Sequence, residues 1–365
     1  MSDQRVRLVV LFGGRSAEHE VSCTSAVHVL QAVDPARYDV VPVGVTREGR
    51  WVLAEEAAKV LAAGGPAALP AALAAEGPGL EPLATVADEP GQTGATVVLG
   101  LLHGPFGEDG TVQGLCELAG VPYVGSGVLG SAVAMDKIAA KRLVGEAGLP
   151  QPRWLGLRAW DIGEDLAARV RAELGWPVFV KPANLGSSVG VSKAKASDEL
   201  DAAVALALSY DEWVVIEEAV TGREIEVGVL GERPPQASVP GEIRPSREFY
   251  DYEDKYLVDG AELLVPAPLS AAETAEVQGL ALAAFAAVRA EAMARVDFFY
   301  EEGGRGFLVN EVNTIPGFTP ISMYPKVWEA SGVSYAELVD RLVELALDRH
   351  ARRSDRIGRR RGLGG

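Results

Sequence analysis

Between Lys181 and Gly190 the chain reads KPANLGSSVG, a lysine at the end of an apolar β-type run followed by a turn rich in glycine and serine. Such a turn exposes backbone and hydroxyl donors, and a lysine charge at a strand end is costly to bury unless an anion meets it, so the stretch suits phosphate oxygens. The lysine precedes the glycines and no G-K-[ST] follows, which separates it from the Walker pattern. Taken alone, it also reads as an ordinary turn. A second constellation is Arg295, Asp297, Glu311 and Asn313. If 295–300 and 306–311 pair as a hairpin through Glu301–Arg305, matching parity brings all four to one face. Two carboxylates and an amide are hard oxygen donors of the kind Mg²⁺ takes. An arginine beside them cannot ligate metal but can stabilise developing negative charge. The alternative is an exposed, salt-bridged sheet face, against which stand the apolar alternate positions Val296, Phe298 and Val312.

Two further loops follow apolar strands, where open α/β sheets bind ligands. Gly13–Glu20 (GGRSAEHE) offers Glu18, which can hold an ammonium group or, with Glu20, favour the next helix's N-terminus through its dipole. His103–Gly110 (HGPFGEDG) offers His103, with a ligand-facing or a structural role.

Across the whole chain, 34 basic against 51 acidic residues among 365 give a net charge of −17, which repels a nucleic-acid backbone and leaves room only for a local cationic pocket. No apolar run is long enough to cross a membrane. Cys23 and Cys116 sit in apolar helical patterns, and the N-terminus lacks a secretory layout, so the expected compartment is the cytoplasm. Val6–Phe12, Tyr38–Val45 and Thr96–Leu102 read as buried parallel strands of an α/β layer. Ser22 or Ser16 is expected to cap the helix after the first strand. Residues 54–95 read as short helices and loops. Ser131–Ala147 reads as one amphipathic helix opening a second unit with strands Pro177–Lys181 and Trp213–Glu217. A third unit opens with Glu224–Leu230 and holds an aromatic, charged stretch at Phe249–Tyr256, a helix over Ala271–Arg289, the hairpin, and a final helix over Tyr335–Leu347. Residues 351–365, with six arginines, read as a disordered, solvated tail.

GGRSAEHEVS (13–22), LHGPFGEDG (102–110), KPANLGSSVG (181–190), FYDYEDKY (249–256), RVDFF (295–299) and NEVNTIPGFT (310–319), in this order, resemble the D-alanine:D-alanine ligase family of ATP-grasp enzymes. The resemblance implies an α/β, three-domain ATP-grasp architecture: an N-terminal open parallel layer (1–128) and two α+β units (129–219 and 220–350) clasping ATP. It implies that Lys137, Lys181 and Ser188 meet ATP phosphates, Glu217, Glu218, Ala219 and Val220 form an adenine hinge, and Glu224 reaches the ribose. Asp297, Glu311 and Asn313 would hold two Mg²⁺, or Mn²⁺ in their place. Glu18 would bind the first D-alanine's ammonium, Ser187 with Tyr256 would complete a closing triad, and His103, Lys255 and Ser322 would bind substrate. Arg295 and the Gly317 amide would stabilise the oxyanion, and 250–260 would form a lid. Leu185 and Glu218 stand where some relatives carry other residues. The implied reaction is ATP-dependent joining of two D-alanines through an acylphosphate, in a homodimer. D-Lactate or D-serine as second substrate, and a catalytically silent nucleotide-binding module, are the alternatives.

Overall fold

The computed structural model describes residues 5–88, 94–244 and 262–356. The first sheet has the order β3 (Trp51–Leu53), β2 (Tyr38–Val45), β1 (Val6–Gly13), β4 (Thr96–Gly100), with β1 parallel to both neighbours. Its continuous apolar strands are buried on both faces, as expected of parallel strands covered by helices. Gly13 ends β1 at φ +86°, and a Cβ there would sit 2.5 Å from the Val45 carbonyl oxygen, so the turn into the first loop requires glycine. The helix that follows runs His19–Ala32 with Glu18 at its N-cap position and no side-chain cap, which corrects the expected serine cap. Ser22 instead lies inside the helix, its hydroxyl accepting from Gly13 N at 2.9 Å and donating to Leu101 O at 2.6 Å. It thus ties the helix to two strand ends.

The second sheet, β5 (Trp154–Arg158), β8 (Trp213–Glu218), β6 (Val178–Pro182), β7 (Ser192–Ala194), is antiparallel throughout. The third has the order β12 (Glu262–Leu264), β11 (Gly241–Arg244), β9 (Arg223–Leu230), β13 (Met293–Glu301), β14 (Gly306–Asn313), with β10 (Gln236–Ala237) beside β9.

The single helix expected over Ser131–Ala147 is two, Val128–Met135 and Lys137–Glu146. Asp136 breaks it: extended backbone there lets its carboxylate accept from Ala139 N at 2.8 Å and cap the second helix. Ala140 and Val144 of that helix join the core of the third sheet, while Ile138 packs with Val215 of the second, so one helix spans both units. The final helix continues to Ser354, which corrects the reading of 351–354 as disordered tail; Arg352 pairs with Asp348 and Glu232, and Arg353 with Glu117 and Glu291. Its apolar face (Leu338, Val339, Leu342, Val343, Ala346) packs into the core of the first sheet. Buried Arg349 locks that return, donating to the carbonyls of Tyr123 (2.6 Å) and Gly125 and facing Glu291. Among the described residues, no helix is long and apolar enough to cross a membrane.

Candidate active site

Pairing of β13 with both neighbours places Glu226, Asp297 and Glu311 opposite one another across three adjacent strands, and Arg295 opposite Asn313 two residues along. The expected convergence of Arg295, Asp297, Glu311 and Asn313 is found, but the parity expected to produce it is not kept from the turn onward, where Glu301 pairs with Gly306 and Phe298 with Val309. The register shifts after Asp297, leaving Asn310 as an extra residue beside the polar row. Arg295 reaches both oxygens of Asp297 at 2.7 Å and Oε2 of Glu226 at 3.0 Å. Burial opposes its charge, but the two carboxylates outweigh that and hold its pKa well above the ordinary guanidinium value. Asn313 Nδ2 donates to Asp297 Oδ2 at 2.9 Å. Among the described residues, no three His, Cys, Asp or Glu side chains converge closely enough to enclose an ion. Asp297, Glu311 and Asn313 offer the oxygens of two carboxylates and one amide, a hard donor set suited to a divalent ion that keeps other ligands.

Above this row stand three lysines. Lys137 and Lys141, four residues apart, project from one face of their helix, and Lys181 from β6. Lys141 and Lys181 both pair with buried Glu217 of β8, and Lys137 donates to the Leu185 carbonyl. Burial would raise the Glu217 pKa; the two ammonium groups outweigh it and hold the carboxyl down at about 2. Burial lowers the pKa of Lys137 and of Lys141, whereas for Lys181 it is outweighed by Glu217, leaving that ammonium above its ordinary value. Two of the three lysines share the carboxylate of Glu217, and the cluster offers ammonium groups to a polyanion.

A cavity of about 980 Å³ joins these groups to the N-terminal loops. It is lined by Glu18 and His103 from the first unit, by Lys137, Lys141 and Ser187, and by Glu224 and the polar row. Gly317 and Ser322 line its floor. Ser187 and Ser188 adopt positive φ (51° and 58°), a strained conformation for non-glycine residues, and the buried Ser187 hydroxyl has no hydrogen-bond partner among the described residues. Gly186 lets this loop approach the first unit: a Cβ there would lie 3.3 Å from Glu18 Oε2.

The side chains of the expected hinge do not line the cavity. Glu217 faces the lysines, Glu218 binds Arg153 (Nε at 2.8 Å) and Arg305 (2.5 Å), and Ala219 N donates to Pro177 O. Lys181 and Ser188 also stand outside the lining, and Val220 with them. Lys255, Tyr256 and the expected lid lie outside the described residues. Lining residues that the sequence reading did not assign to the site include Lys141, Glu226 and Glu108. Lys141 was signalled by its spacing from Lys137, and Glu226 by the alternation Glu224-Ile225-Glu226. Glu108 accepts from Gly104 N at 2.6 Å, and burial followed by repulsion from Glu18 pushes its pKa up to about 8.

The family model described as D-ala D-ala ligase N-terminus matches residues 7–126, and that described as D-ala D-ala ligase C-terminus matches 143–344. The chain belongs to the D-alanine–D-alanine ligase family. Among relatives, a D-alanine–D-alanine ligase of Geobacillus thermodenitrificans is 46% identical over 357 residues, covering 95% of this chain and 96% of that protein. One from Deinococcus radiodurans is 49% identical over 348 residues, covering 94% and 98%. Among solved structures, the Coxiella burnetii D-alanine-D-alanine ligase matches with TM-score 0.80 at 35% identity, covering 99% of this chain and all of that one. The VanG D-Ala:D-Ser ligase of Enterococcus faecalis also gives 0.80, at 34% identity, covering 94% and all of that chain. The likeness to D-alanine ligases carries the three-unit architecture to an ATP-grasp fold, as the family resemblance implied.

Proposed function

We propose that this protein joins two D-alanine molecules to D-alanyl-D-alanine with ATP, through a D-alanyl-phosphate, releasing ADP and phosphate for peptidoglycan precursor synthesis. The observation that carries this reading is the cavity in which a lysine cluster, a carboxylate row with Arg295, and the Glu18 loop face one volume in a chain of this family. Lys137 and Lys181 are assigned to ATP phosphates with Ser188, Glu217 to Val220 to the adenine hinge, and Glu224 to the ribose. Asp297, Glu311 and Asn313 fit a divalent ion by donor chemistry, and two Mg²⁺, or Mn²⁺, are the ions proposed. Such ions neutralise phosphate charge and orient the γ-phosphoryl group when bound.

A carboxylate is a poor electrophile, so the first step activates it. Glu18 holds the first D-alanine by its ammonium, and an oxygen of that substrate's carboxylate bonds to the γ-phosphorus as the bridge to ADP breaks. The neutral amine of the second D-alanine, held by Lys255 and Ser322, then attacks the acyl carbon. Arg295 and the Gly317 amide stabilise the oxyanion, and phosphate leaves. Ser187, Tyr256 and Glu18 are assigned to closing the site, because an acylphosphate is lost wherever water enters. A cytoplasmic homodimer is the proposed form.

The equal structural likeness to a ligase named for D-Ala:D-Ser supports a second reading with D-serine as the second substrate; relatives at 46% and 49% identity named for D-alanine favour the first. Phosphate release is to be measured with Mg-ATP and D-alanine, L-alanine, or D-alanine with D-serine or D-lactate, and products weighed by mass spectrometry. D-alanine-dependent release with D-alanyl-D-alanine as main product is expected. A mixed product would move the second-substrate assignment, and ATP binding without turnover would restore the silent-module alternative.

A further inference from the structure

His103 stands at the end of the first unit's central sheet and is 5% exposed. Its Nδ1 lies 3.1 Å from the carbonyl oxygen of Ile315, 212 residues away in the third unit. A carbonyl oxygen can only accept, so Nδ1 must carry the proton. The other ring nitrogen, Nε2, is buried with no hydrogen-bond partner among the described residues, while the residue lines the cavity. Ile315 lies two residues before Gly317. On the far side of Gly317, the Tyr335 hydroxyl donates to Phe318 O at 2.6 Å, and Ser322 Oγ accepts from Thr319 N at 3.1 Å. The Gly317 amide is thus strung between two anchors, one of them supplied by a different unit of the chain.

We propose that His103 is a positioning residue whose Nδ1–H fixes the Ile315–Gly317 turn to the N-terminal unit. The inference rests on the ligase reading for its kinetic consequences, since the Gly317 amide matters there as an oxyanion donor. A turn displaced by about 1 Å costs on the order of 10² in rate when the displaced group must meet a transition state.

Two substitutions separate the ends of the ring, because asparagine can place an amide N–H near the Nδ1 position and glutamine near Nε2. His103→Gln is expected to lower kcat about 10²-fold with the KM for ATP unchanged, and His103→Asn to retain at least ten times the kcat of His103→Gln. The reverse order of activities would overturn the anchoring role. Independently of turnover, nitrogen-15 NMR of histidine-labelled full-length protein at neutral pH reads the tautomer of each of the four histidines, with His19, His28 and His350 replaced one at a time so that His103 is assigned by elimination. His103 protonated at Nδ1 and bare at Nε2 supports the proposal; the opposite tautomer overturns it even if both variants fail to fold. Absence of D-alanine-dependent ADP formation in the unmodified protein would remove the ligase reading, and the NMR result would still decide the anchor.

Discussion

Arg295→Met is expected to lower kcat by roughly 10³ while leaving the KM for ATP within a few-fold. Removing one oxyanion donor costs on the order of 10²–10³ in comparable sites. Arg295 has a second duty that adds to this: it neutralises Asp297 and Glu226, which with Glu311 form a row of three carboxylates across adjacent strands. Without the guanidinium, that row repels both the anionic nucleotide and the oxyanion. Arg295→Lys keeps the charge but not the fork that reaches both oxygens of Asp297, so its loss should be smaller, about 10–10². Steady-state ADP formation on variants whose thermal midpoints are matched checks this. If Arg295→Met stays within tenfold of the parent kcat, Arg295 has no part in stabilising the transition state.

The second large effect is on stability. Glu217→Gln leaves the buried ammonium groups of Lys141 and Lys181 without their shared carboxylate. Breaking a buried pair by removing one partner costs about 3–5 kcal/mol, and here two partners are orphaned. The urea midpoint should fall accordingly, and the KM for ATP should rise because Lys181 loses the group that keeps it charged. The acid limb gives a signed check. The folded-state pKa of Glu217 is depressed from 4.5 to about 2, so its stabilisation is complete above 4.5 and is lost as pH falls from there toward 2. The glutamine variant should lack that part of the acid loss. Equal urea midpoints, and equal acid profiles, would contradict the pairing.

What was legible in the sequence follows from the range of the interactions concerned. The hairpin row was only partly readable: alternation along each strand is local, but the turn pairs Glu301 with Gly306, and it is the extra residue Asn310 that brings Glu311 and Asn313 opposite Asp297 and Arg295. The loops after β1 and β4 were readable because an apolar run stopped by glycine marks a strand's carboxyl end. Glu217 was read as part of a hinge, and nothing local says that its side chain turns to lysines 36 and 76 residues earlier in the chain. That pairing depends on how the Lys137–Glu146 helix packs across two sheets. The return of the last helix to the first sheet is of the same kind, since Arg349 meets carbonyls more than 220 residues upstream. The break at Asp136 was a local signal passed over, an Asp at a helix start inside an otherwise continuous apolar stripe.

The most direct test of acyl transfer through a phosphorylated substrate follows the carboxylate oxygen. With D-alanine carrying ¹⁸O in both carboxylate positions and unlabelled ATP and water, the oxygen that bonds to the γ-phosphorus must leave with it. Mass analysis is expected to find one ¹⁸O in each phosphate released and one retained in the dipeptide's new amide carbonyl. Unlabelled phosphate alongside D-alanyl-D-alanine would contradict the account.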